Sequence, residues 1–234
     1  MIFSFKLKPL LWSILAFVIV ILSIFVGVKT STATSIFDVP NSKYTIVIDA
    51  GHGGIDGGSV GASTGVVESE LNLTYAYNLA RQFNQMGISC VLTRTDENGL
   101  YDSSAKSLKK SDMLARKEII EKTNPNLVIS IHMDSFSLSS TSGSQAYFKK
   151  GSESGKILAQ KIQKQLFCNF ENAKKSEKVG DYYIVNCTDL PAVLVECGFL
   201  SNPQEEVLLQ DKNYQNKMCY SIMCGVLDFL NFKY

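Results

Sequence analysis

The chain is poor in histidine: two are present among 234 residues, His52 and His132, beside one tryptophan and five prolines. Neither sign of charge dominates. A formal net charge of +1 lacks the cationic footprint of a nucleic-acid-binding protein, so no nucleic-acid partner is expected. Few prolines, sixteen glycines and no internal repeat exclude collagen-like and low-complexity designs. There is no C-x-x-C among the six cysteines, and a chain of this length needs no disulfide staples, so buried free thiols are expected. What remains is globular in composition, with 45% apolar, 10% aromatic and 19% charged residues.

The apolar content is uneven. Residues 10–28, LLWSILAFVIVILSIFVGV, hold sixteen apolar residues of nineteen and no charge. At about 1.5 Å per residue, a helix of that length matches the hydrocarbon core of a bilayer. Lys6 and Lys8 precede the run, which predicts a cytoplasmic N-terminus and an exported remainder, anchored to the membrane or secreted. The run exceeds a usual signal-peptide core and favours an uncleaved anchor, although Ser31-Thr32-Ala33 also fits a cleavage site. The expected organisation is an anchor over 1–29, a linker over 30–43 and a folded domain over 44–234. Without Lys6, Lys8 and Lys29 the exported part carries −2, so no general attraction to anionic polymers follows.

Past the linker, strand and helix patterns alternate. Strands are expected at 44–50, 88–93, 127–131, 144–148, 181–185 and 192–195. Helices are expected at about 68–86, from a Ser111 cap to 123, from Ser152 to 167, and over 213–230. Alternation of this kind implies a single three-layer α/β domain, a mainly parallel or mixed twisted sheet with helices on both faces.

Both histidines directly follow strands: His52 after VIDAG, His132 after LVISI. Ligand sites of such sheets gather at the carboxyl ends of strands, and neutral imidazole is the commonest metal ligand, which makes zinc the natural candidate. A lone histidine is more often structural, but here the whole supply sits at two equivalent places. Two histidines and a carboxylate with an open fourth position form a common catalytic zinc set. Glu68 and Glu70, at the entry to the first helix, are both candidates for the third ligand, and both have a plain reading as partners of the helix dipole. Glu196 ends the apolar strand AVLVE; a carboxylate there is either paired, with Arg94 or Arg116, or faces a cleft as a general base. The glycine-rich run AGHGGIDGGSVG lacks GK[ST], and Asp56 stands where G-x-G-x-x-G needs its last glycine, so its glycines are read as folding the backbone tightly around His52.

Taken together, IVIDAGHGGIDGGSVG (46–61), ESELNL (68–73), LTR (92–94), SIH (130–132) and PAVLVECGFLSN (191–202) resemble the zinc-dependent N-acetylmuramoyl-L-alanine amidases. The resemblance implies zinc held by His52, Glu68 and His132, Glu70 at the surface, and Glu196 as the catalytic carboxylate that deprotonates water and protonates the departing amine. Ser69 stands where the family usually has Lys, and Asp134 where it usually has Asn; neither change removes a ligand. A short anchor on a bare catalytic domain, and the long stretch 99–116, resemble the germination-specific, spore-cortex type. That type acts on cortex peptidoglycan between forespore and mother cell, on the way to muramic-δ-lactam. Because the sequence carries no wall-binding repeats, an accessory protein for zinc retention or location is expected as a partner besides peptidoglycan and the membrane. The alternatives are a zinc peptidase acting on stem peptides and a catalytically silent wall-binding protein.

Overall fold

The computed structural model describes residues 36–232; the expected anchor at 1–29 lies outside them. Among the described residues no helix is long and apolar enough to cross a membrane.

Seven strands form one mixed sheet. They are β1 (Ile36–Phe37), β2 (Thr45–Ala50), β3 (Ser89–Leu92), β4 (Leu127–Asp134), β5 (Gln145–Phe148), β6 (Lys178–Val179) and β7 (Ala192–Phe199), in the spatial order β1-β3-β2-β4-β7-β5-β6. The centre, β3-β2-β4-β7, is parallel; β1 and β5 join it antiparallel, on β3 and β7 respectively. β2, β3 and β7 are buried along almost their whole length because both faces of a central parallel strand are covered. Part of the expected linker is sheet: Ile36 and Phe37 pair with Val91 and Cys90.

Helices α1 (Glu68–Gln85), α3 (Glu153–Asn169) and α6 (Lys212–Phe229) cover one face. In α1, Leu71, Tyr75, Ala76, Leu79, Ala80 and Phe83 recur at helical spacing and are buried. Each large side chain buried this way contributes roughly 1.5–3 kcal/mol. α3 and α6 approach closely because Gly225 has no side chain; a Cβ there would lie 2.5 Å from Ile162 Cα.

The other face is thinner. It carries α2 (Leu108–Thr123) and a single turn, α4 (Tyr183–Asn186), over Val47, Val128, Ala192 and Leu194. The expected strand at 181–185 is this turn. β6 already takes the edge of β5, and Ile184 and Val185 bury themselves by packing on the sheet face instead. Ser107, not Ser111, caps α2: it is extended (φ −134°) and accepts from Lys110 N. Before α6 stands α5 (Pro203–Gln210), which was not expected. Asn202 caps it, accepting from the backbone of Gln204 and Glu205, with Pro203 in the first turn; Asp211 then ends α5 and caps α6.

All six cysteines are free, as expected, but only Cys90, Cys197 and Cys219 are buried; Cys168 is exposed, and Cys187 and Cys224 are half-buried.

Candidate metal centre and active site

The site lies at the carboxyl ends of three adjacent parallel strands. β2 delivers His52 through the loop that follows it, β4 carries His132, and β7 carries Glu196. Both β4 and β7 run past these residues, so His132 and Glu196 lie within strands and not after them. They are partners in the β4–β7 register, which slips between His132 and Asp134. On the face where His132 and Glu196 point, β2 and β4 place Asp49 and Ser130.

Glu68 is the first residue of α1 and comes in from the thicker side. Its Oε1 lies 2.9 Å from His132 Nδ1 and 3.2 Å from His52 Nε2. The two imidazole rings meet edge to face at 4.9 Å, and one donor atom from each of the three residues falls within 4.8 Å of the others. Glu70, two residues on, is exposed. Glu68 is held in place from behind: Ser59 N donates to Oε2 at 2.8 Å, while Met133 N and Asn72 Nδ2 donate to Oε1, each at 3.2 Å. Burial pushes this carboxyl up, but the hydrogen bonds and charge of His132 and His52 outweigh it and hold Glu68 well below the usual carboxylate range.

Two glycines make room for the cluster. A Cβ on Gly51 would lie 2.2 Å from the His132 ring, and one on Gly58 would lie 2.4 Å from Glu68 Oε2. Gly58 also needs its left-handed φ of +71°. His52 itself adopts φ +60°, a conformation costing a non-glycine residue about 1–3 kcal/mol unless its surroundings fix it. Arg116 fixes it by donating to the His52 carbonyl at 2.6 Å. Behind the ring, Asp56 Oδ1 lies 2.9 Å from His52 Nδ1, off the axis of a hydrogen bond. A carboxylate behind a ligating imidazole is the usual outer support of a metal site.

Neither arginine touches Glu196. Arg116 is fully buried; it grips Asp112 and Asp49, each at 2.6 Å, and the Ala50 carbonyl at 2.8 Å. Asp49 also accepts from Thr93 and Ser130. Arg94 donates to the carbonyls of Ala50, Gly51, Ser69 and Asp96. The two arginines thus brace the loop that holds His52. Glu196 is left 6% exposed, with Oε2 buried and unpartnered. Burial, and after it the charges of Asp134 and Glu68, push its carboxyl well above the usual range.

A cleft of about 600 Å³ opens over these groups, lined among others by His52, Glu68, His132, Asp134, Tyr182 and Glu196. The structure therefore brings the four residues singled out from sequence to one place. Asp56, Asn72 and the Asp49–Arg116 network were not singled out. Asp56 carried a signal, as the one acid inside the glycine-rich run; the others did not, because their roles depend on which strand ends meet.

Residues 46–228 match the family model of the N-acetylmuramoyl-L-alanine amidases, and the chain belongs to that family. It is 33% identical over 202 residues to the germination-specific N-acetylmuramoyl-L-alanine amidase of Bacillus subtilis, an alignment covering 84% of each chain. Among solved structures it is similar to the CwlD amidase of Clostridioides difficile in complex with the GerS lipoprotein (TM-score 0.77, 33% identity, 81% of this chain and 100% of that one). It is also similar to the catalytic domain of CwlV, an N-acetylmuramoyl-L-alanine amidase of Bacillus (Paenibacillus) polymyxa var. colistinus (TM-score 0.72, 30% identity, 81% and 99%).

Proposed function

We propose that the protein hydrolyses the amide between N-acetylmuramic acid and the L-alanine of the peptide stem, with zinc held by His52, Glu68 and His132 and with Glu196 as the catalytic carboxylate. The donor set fits the metal: two imidazole nitrogens and one carboxylate oxygen converge, Glu68 is held from behind by Ser59 N, Asp56 lies behind His52, and the open side faces the cleft. Zinc supplies Lewis-acid polarisation of the substrate carbonyl and a water of lowered pKa. Glu196, ionised beside the divalent cation whose charge would offset the effect of burial, takes the proton of the attacking water on its unpartnered Oε2 and returns it to the departing amine. Asp56 sits behind the His52 ring, and the Ser59, Asn72 and Met133 donors keep Glu68 aimed. The observation that carries this reading is the buried, unpaired carboxylate of Glu196 in register with His132.

The biological role we propose is trimming of spore-cortex peptidoglycan toward muramic-δ-lactam, in the space between forespore and mother cell. The germination-specific relative supports it. The GerS complex of the Clostridioides difficile neighbour supports an accessory partner for this chain too, for zinc retention or location. Residues 1–29 are proposed as the anchor that keeps the enzyme at its membrane, with the linker shortened to 30–35 and the catalytic domain starting at Ile36, since β1 belongs to the sheet.

Incubating peptidoglycan with the zinc-loaded protein and weighing the muropeptides tests the activity. Loss of the whole stem from muramic acid is expected; shortened stems still attached to the sugar would instead define a peptidase.

A further inference from the structure

The cleft is acidic: Asp56, Glu68, Asp134, Asp181 and Glu196 all line it. Two cations stand against them. Arg116 is committed, with all its guanidinium nitrogens on Asp49, Asp112 and the carbonyls of Ala50 and His52. Lys109 is exposed; its charge helps to lower the Asp56 carboxyl, but among the described residues no ion pair or hydrogen bond engages its ammonium group. Its position is locally unfavourable. It lies in the first turn of α2, which holds no acidic residue, and a cation there opposes the helix macrodipole. A residue that breaks a local rule at the rim of a cleft points to a use.

Lys109 also stands at a boundary. A second cavity of about 270 Å³, lined among others by Ile55, Tyr101 and Leu108, shares Asp56 and Lys109 with the catalytic cleft and so continues it past the ammonium group. The opposite wall is aromatic, formed by Tyr182 and Tyr183. Tyr182 lies over Gly180, where a Cβ would come within 2.6 Å of its ring, and meets Tyr147 edge to face at 5.4 Å. An aromatic wall suits the apolar face of a sugar ring, and a free ammonium suits a carboxylate.

We propose that Lys109 recognises the carboxylate of the second residue of the peptide stem. The substrate then lies with its sugar against the Tyr182–Tyr183 wall and its peptide running over Lys109 into the adjoining cavity. This rests on the amidase reading and adds a direction and a specificity to it.

The test uses the full-length, zinc-loaded protein and two N-acetylmuramoyl tripeptides, identical except that the second residue carries a free carboxylate in one and its carboxamide in the other. A rim-exposed charge pair predicts a KM about two- to fivefold lower for the carboxylate, shrinking with added salt, with kcat alike because Lys109 touches no reacting atom. Lys109→Ala should bring the KM ratio near one, Lys109→Arg should keep it and Lys109→Glu should invert it. Because each ratio is taken within one variant, a general loss of activity cancels. Equal KM values in the unaltered protein, or an unchanged ratio in Lys109→Ala, would overturn the proposal. If neither substrate releases its whole peptide, the amidase reading itself fails, which is a different result.

Discussion

Glu196 and His132 are in-register neighbours on two parallel strands, and both side chains open into the same cleft. Register partners share a face of the sheet, so a single pairing sets the proposed base beside a proposed ligand. Glu196→Gln keeps the shape and removes the base. Release of stem peptide should fall by roughly 10²–10⁴-fold while zinc content stays that of the unaltered protein. Near-normal turnover by mass spectrometry of the muropeptides would sink the mechanism.

Glu68 and Glu70 stand in the same turn of α1 with opposite fates, one buried against both histidines and one exposed. Zinc measured by elemental analysis should be lost in Glu68→Ala and in His132→Ala, and retained in Glu70→Ala. The reverse pattern for the two glutamates would assign the metal to the wrong carboxylate.

Arg116 joins two carboxylates and two backbone carbonyls with no exposed surface. Arg116→Met leaves Asp49 and Asp112 without their cation and should cost about 3–5 kcal/mol in urea unfolding. Lysine should not rescue it, because a single ammonium cannot span the four acceptors that the forked guanidinium reaches. A loss below about 1 kcal/mol would contradict the bracing role.

Asp49 gives the fold an acid dependence. Burial raises its carboxyl, but the charge of Arg116 and the hydrogen bonds of Ser130 and Arg116 prevail and lower it from 3.8 to about 2. A carboxyl depressed in the folded state stabilises fully above its unfolded pKa, and the contribution disappears as pH falls through the folded value. The urea midpoint should therefore drop between pH 5 and pH 2.5, and Asp49→Asn should show a smaller drop over that interval. Equal drops would exclude Asp49 as the source.

The α/β class and its central strands were legible because central parallel strands are rich in apolar and β-branched residues, interrupted in IVIDA and AVLVECGF by one acid each, Asp49 and Glu196. The four site residues were legible because the chemistry-bearing types are few and stand at strand ends. Short elements were not. The run YYIV looks like a strand, yet packs as a helical turn because the sheet edge beside it is taken by β6. Asn202-Pro203 did spell a helix start, but the eight-residue helix after it was masked by the longer pattern of α6. Arg94 and Arg116 read as possible partners for Glu196. Only the meeting of β2 with the start of α1 and with α2 shows that their forks are used up on the His52 loop.

The order of strands β2-β4-β7 has a consequence for how the chain gains activity. His52, His132 and Glu196 are separated by long stretches of sequence, and they come together only when crossovers through whole helices have closed. Non-local parallel pairing of this kind is a slow and late event in folding. A chain that has not yet paired β2, β4 and β7 lacks the assembled set of proposed ligands and proposed base. A hydrolase able to cut its own host's wall is thus born inert, and becomes dangerous only on completion of the sheet.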